Sequence, residues 1–240
     1  MSIYPSSRQH GGIRRDVSWP AFLWRQADRI LGLALAASEF VLVFSGLRAG
    51  RSFFDVNLFP LLLALLVSAL VLKAAPREAA PPDIDGTIGL VLSIAAPFFF
   101  RPNVFVVADA TANILFVFSN MFYFAFIVWG YVSLKRSIAI LPGLRAVVSR
   151  GPYRIIRHPI YASYLHLAAC YAAYFPSLTN LGVTLALGLG ILLRVRNEER
   201  LLGQSAAYFD LQRNVPRRYT SLLYSAPATV TIGLLIYLQM

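Results

Sequence analysis

The sequence predicts an all-α, polytopic membrane bundle of about six transmembrane helices, with an N-terminal interfacial helix and a C-terminal apolar helix. Three observations carry this. The chain is 58% hydrophobic with a mean hydropathy of +0.62. Charged residues make up only 14%, where soluble domains run near a quarter. The apolar residues also fall in helix-length blocks, at 30–44, 56–72, 87–100, 114–134, 160–175 and 178–193. Several of these approach the roughly 20 residues that cross a hydrocarbon core.

The net charge of +11 is explained by topology. Nineteen of the 22 Lys and Arg residues fall in the N-terminal segment, the second and fourth loops and the stretch after the sixth block. Only Arg48, Arg51 and Arg101 fall on the other side. That asymmetry puts both ends of a six-span core in the cytoplasm and argues against nucleic acid as the partner of the basic residues.

Residues 1–26 have no apolar core of a secretory signal, and "WPAFLWRQADRI" mixes Trp19, Phe22 and Trp24 with Arg25 and Arg29. This suits a helix at headgroup level. Residues 27–134 supply four spans. The first two look like packaging, except that Glu39 places a carboxylate inside the first, where it is either a functional group or one satisfied by a neighbouring helix. Pro76, Pro81, Pro82 and Gly86 break the chain between the second and third spans, and Pro97 kinks the third. Cys170 excludes an intrachain disulfide and reads as a small buried side chain.

Chemistry concentrates in residues 135–218. A basic loop, "KRSIAILPGLRAVVSRGPYRIIRHP", is far longer than the roughly 2 to 8 residues that usually join helices. Two short apolar blocks come after it. Each is about 16 residues, or roughly 24 Å, short of the ~30 Å core. Either their charged ends snorkel or the mouth is recessed. An antiparallel hairpin brings "RIIRHPIY" beside "RVRNEERLL", so Arg157, His158 and Arg194 meet Glu198 and Glu199 at the membrane surface. Metal-ligand spacing, a poised thiol and glycine-rich phosphate loops are all missing. The pattern suits a zwitterionic or anionic small molecule bound without a metal. His166, Tyr164 and Tyr171 read as packing residues.

"GPYRIIRHPIYASYL", followed after one hairpin by "RVRNEERLL", "AAY" and "NVPRR", resembles the isoprenylcysteine carboxyl methyltransferase and phospholipid methyltransferase superfamily over residues 151–218. The tail differs from the common family form, with Leu211 where a second tyrosine is frequent. The resemblance implies methyl transfer from S-adenosylmethionine, with S-adenosylhomocysteine as product. It implies donor binding by Tyr153, Arg157, His158, Tyr161, Glu198, Glu199 and Tyr208. Arg194 and Arg217 would position a carboxylate acceptor, or Glu198 and Glu199 would serve as base to an ammonium acceptor.

The expected acceptor is a lipid head group or another lipophilic molecule reaching the cytoplasmic face of a bacterial inner membrane. Nothing in the sequence sets the oligomeric state. A silent relative serving a membrane assembly is the alternative, and a transporter is disfavoured by spans poor in polar residues. Residues 219–240 fit an interfacial segment, a docking helix or an incomplete seventh span.

Overall fold

The computed structural model describes residues 21–48, 58–74, 78–79, 83–101, 110–138, 140–141, 143–144, 146–216, 218–219 and 221–239. Among them the chain is all-helical, with eight α-helices. These are α1 (Ala21–Arg48), α2 (Leu58–Leu72), α3 (Ile84–Ala95), α4 (Ala110–Leu134), α5 (Pro159–Tyr174), α6 (Leu178–Leu202), α7 (Ala206–Asn214) and α8 (Leu222–Gln239). A two-residue antiparallel pairing of Glu78–Ala79 with Gly143–Leu144 ties the second loop to the fourth. Two helical segments, Ala110–Ser137 and Leu178–Leu202, are long and apolar enough to cross a membrane by length and composition. Large apolar side chains such as Leu62, Phe118, Leu185 and Ile236 stand exposed on the outer faces of the bundle.

Two boundaries differ from the sequence expectation. α1 is continuous from Ala21, so residues 21–26 of the expected interfacial segment belong to the same helix as the first apolar block. No proline or glycine interrupts 21–31 to force a break. Residues 1–20, with the rest of the expected interfacial segment, lie outside the described residues. α6 runs nine residues past the apolar block, because Arg194–Leu202 holds strong helix formers and no breaker before Gly203. Glu198 and Glu199 are therefore rigidly coupled to the apolar body of α6.

Among the described helices α3 and α6 pack most extensively, and glycine permits their close approach. A side chain at Gly190 would put its Cβ 2.7 Å from Leu92 Cβ and 2.7 Å from the Ser93 nitrogen. At Gly89 it would stand 2.8 Å from the Arg194 nitrogen. Small residues let the backbones touch, and that contact sets how α6 is rotated. Polar clamps fix both ends of the pair. At one, Asp83 caps α3 through the Gly86 N–H at 2.6 Å and also accepts from Asn197 and Arg200. At the other, Asn180 accepts from the Arg101 N–H at 2.9 Å and donates to the Arg101 and Phe175 carbonyls, both at 2.8 Å.

α8 packs lengthwise against α4 and α5. Near its start the Tyr224 hydroxyl lies 2.5 Å from Ser163 Oγ and donates to the Pro159 carbonyl at 3.2 Å. In its middle Thr231 and Ser119 share a hydrogen bond of 2.7 Å. Near its end Leu235 is fully buried with Ala112 and Tyr174. It thus spans the same length of bundle as α5, parallel to it.

Candidate functional site

The site forms where α5 begins and α6 leaves its apolar stretch. Gly151 adopts φ of 59°, a left-handed conformation open to glycine at little cost, and Pro152 leads on into a short 3₁₀ turn, Gly151–Arg154. This turn carries Tyr153 to the wall of a cavity. "RHP" then starts α5. Pro159 occupies the first helical position, where no N–H is needed, and His158 is the residue before it. The His158 backbone N–H donates to the Arg218 carbonyl at 3.0 Å. Its ring makes no capping bond and turns instead to α6.

Glu199 is the hub of the polar cluster. Its Oε1 lies 3.2 Å from Arg157 Nη2 and 3.2 Å from His158 Nε2, and it accepts from the Tyr208 hydroxyl at 3.1 Å. Its Oε2 lies 2.8 Å from Arg218 Nη2. Since an ionised carboxylate can only accept, Nε2 of His158 carries the proton in that contact. The Arg157 and Glu199 side chains are 7% and 9% exposed, against 57% for Arg218. The inner pair is therefore little screened, whereas Arg218 contributes mainly as a cover over the site. Burial, together with the Glu199 charge, raises the Tyr208 phenol well above its ordinary range, so it remains a donor at neutral pH. The Tyr219 phenol is raised for the same reasons, burial first.

Glu198 faces elsewhere. Its Oε2 is 3.8 Å from His158 Nδ1, and its side chain lines a cavity of about 550 Å³. Sharing that wall are Arg157, His158, Tyr161, Tyr153, Tyr208 and Arg194. Arg157 donates Nη1 to the Val215 carbonyl at 3.4 Å and Nη2 to Glu199, but its buried Nε has no partner among the described residues. A buried donor left unmet is costly, and this one belongs to a side chain on the cavity wall. Arg194 is fixed by the Ser93 hydroxyl at 3.4 Å and by the Ile140 carbonyl, with its guanidinium 5.4 Å from the centre of the Tyr161 ring. The His158 ring lies between Tyr161 and Tyr219, with centroids at 5.9 and 6.1 Å.

The structure therefore gathers Tyr153, Arg157, His158, Tyr161, Arg194, Glu198, Glu199 and Tyr208 at one end of the bundle. It gives the two glutamates different places: Glu198 on the cavity wall, Glu199 behind it holding Arg157 and His158. Arg217 lies outside the described residues. Arg218 and Tyr219 join the site although the sequence pattern does not single them out; their only signal is membership of the basic "VPRRY" stretch. Tyr164 packs against the apolar core and Tyr171 against Phe100 and Phe175, as expected, and both also line the cavity. His166 is held in the core, its Nδ1 2.7 Å from the Ala162 carbonyl and its ring stacked on Tyr123 at 4.8 Å.

S-adenosylmethionine fits this donor set. The cavity is within the roughly 300 to 1,000 Å³ of small-molecule sites. Arg157 Nε offers a buried donor for a carboxylate, Glu198 an acceptor for ammonium or hydroxyl groups, and the tyrosines offer faces for a sulfonium. A scan against protein-family models and a search of curated proteins each find no match to the chain.

Proposed function

We propose that the chain is an integral membrane methyltransferase that uses S-adenosylmethionine to methylate a lipophilic acceptor at the cytoplasmic face of a bacterial inner membrane. The observation that carries this reading is one continuous cavity with two characters. A charged rim of Arg157, His158 and Glu198 opens into a body lined by Leu63, Ile127, Leu187 and Ile191. A polar donor and an apolar acceptor need such a pair of environments to meet. The resemblance of "RHPIY" and "RVRNEERLL" to motifs of the isoprenylcysteine carboxyl and phospholipid methyltransferases supports it further.

When bound, the donor supplies a methyl already activated on a sulfonium. The protein has only to hold, orient and dry the reactants. Glu199 fixes Arg157 and His158 in place, Arg157 Nε is the unspent donor for an anionic group, and Glu198 balances positive charge. Tyr208 closes the rim from α7. Arg194, locked over Tyr161, is placed to orient a carboxylate acceptor; for an ammonium acceptor, Glu198 is the carboxylate on the cavity wall that can take the proton. Incubating purified protein with labelled S-adenosylmethionine and native membrane lipids tests the proposal. A lipid that gains the mass of one methylene is expected; label remaining wholly in the donor would reject it.

The packing of α8 along α5 supports seven crossings, six as read from the sequence plus a seventh, with the C-terminus opposite the N-terminus. A phosphatase fused after Met240 should then be active in the periplasm, and a fluorescent protein fused there should stay dark. Bright fluorescence with a silent phosphatase would return α8 to an interfacial position.

A further inference from the structure

The far end of the cavity carries a second polar site. α1 contributes Gly32, Leu35 and Glu39 to its wall, one helical face, and α4 contributes Asn120, Phe124 and Ile127. The depth of Glu39 is fixed by Asp28. The Asp28 carboxylate accepts from the Ile140 and Leu141 N–H groups at 3.2 and 2.7 Å, and the Ile140 carbonyl accepts from Arg194. Asp28 and Arg194 thus share the level of the charged rim. Glu39 lies eleven residues further along α1, about 16 Å deeper at 1.5 Å per residue.

Each deep group keeps an oxygen acceptor for which no protein donor is found among the described residues. Among the described residues the half-buried Glu39 carboxyl has no hydrogen-bond or ion-pair partner, and the cavity walls beside it are mainly apolar. Asn120 donates Nδ2 to the Phe116 carbonyl at 2.8 Å. That contact fixes the amide's orientation, because a carbonyl can only accept, and leaves Oδ1 as an acceptor. Both groups offer oxygen acceptors to the cavity, and its walls between them and the rim are mainly apolar.

We infer that the acceptor carries two polar ends: a methyl-accepting head at the rim, an apolar body along the cavity, and a distal hydroxyl or ammonium that donates to Glu39 and Asn120. This rests on the methyltransferase reading for the identity of the occupant, and on the cavity alone for its shape. A single-headed lipid tail would leave the Glu39 carboxyl unpaired, whereas a donor at that distance meets it.

The test uses palmitate, ω-hydroxypalmitate and ω-aminopalmitate as competitors against a fluorescent fatty acid on detergent-purified full-length protein. Wild type should bind at least one of the two donor-bearing probes roughly tenfold tighter than palmitate, the effect of one hydrogen bond to a charged acceptor. Glu39→Leu should abolish the preference and Glu39→Gln should keep part of it. Equal affinity for all three probes in wild type, or an undiminished preference in Glu39→Leu, overturns the inference. S-adenosylmethionine binding measured on the same preparations separates the two claims. Its absence in wild type rejects the methyltransferase reading, while probe preference reports on Glu39 irrespective of that result.

Discussion

Glu199→Ala should abolish measurable S-adenosylmethionine binding and lower the melting temperature of the purified protein. The carboxylate has three close partners on Oε1 and a fourth on Oε2. Arg218 is largely exposed and would be resolvated on losing it, but Arg157 is not. Removing one member of a buried pair costs about 3–5 kcal/mol, because the charge left behind stays buried. The same vacancy frees Arg157 and His158 from their orientations, so donor affinity should fall at least about 100-fold. Glu199→Gln keeps the shape and one accepting oxygen, and should retain more stability than it does affinity. Thermal unfolding and equilibrium dialysis read the two quantities separately. Wild-type affinity in Glu199→Ala would show that the hub does not organise the binding rim.

Arg157→Lys should separate structure from binding. A lysine ammonium can pair with Glu199, so the melting temperature should stay close to wild type. It cannot also donate to the Val215 carbonyl or replace the unpartnered Nε donor in the geometry of a planar guanidinium. Donor affinity is expected to fall roughly tenfold or more, as befits loss of a charge-assisted hydrogen bond. Arg157→Met should lose both affinity and stability. If Arg157 were only a brace for Glu199, the lysine variant would bind the donor as tightly as wild type.

Much of the site is legible in the sequence because it depends on chain direction. "RHP" and "RVRNEE" flank one antiparallel hairpin, and a hairpin returns to the side it left, so their meeting requires no knowledge of long-range packing. The division of labour between Glu198 and Glu199 is different. Neighbours on a helix point about 100° apart, and which one faces the cavity depends on the rotation of α6. That rotation is set by Gly89 against Gly190, residues about 100 apart in sequence, for which local pattern offers no signal. The same holds for Arg218, whose place in the site depends on the path of the strap between α7 and α8, anchored by the Val215 and Arg218 carbonyls.

α1 and α2 read as packaging in the sequence because their apolar blocks look interchangeable in composition. In the folded chain Gly32, Leu35 and Leu63 wall the cavity, and composition cannot distinguish such positions from lipid-facing ones. Pro227, near the start of α8, leaves that helix undecided at the level of sequence. Its place against the bundle is decided by pairs more than 100 residues apart, Ser119 with Thr231 and Tyr123 with the Tyr224 carbonyl at 2.9 Å. The deep acceptor oxygen of Asn120 is equally silent in sequence, since an asparagine within a span commonly bonds its own helix and here does so with one end only.

Calorimetric titration of S-adenosylmethionine into the purified wild-type protein bears most directly on the proposed activity. Saturable binding at one site, displaced by S-adenosylhomocysteine and lost in Glu198→Ala and Arg157→Met, is expected. Absence of saturable binding to folded wild-type protein, or full binding by both variants, would contradict the assignment of the charged rim to the methyl donor.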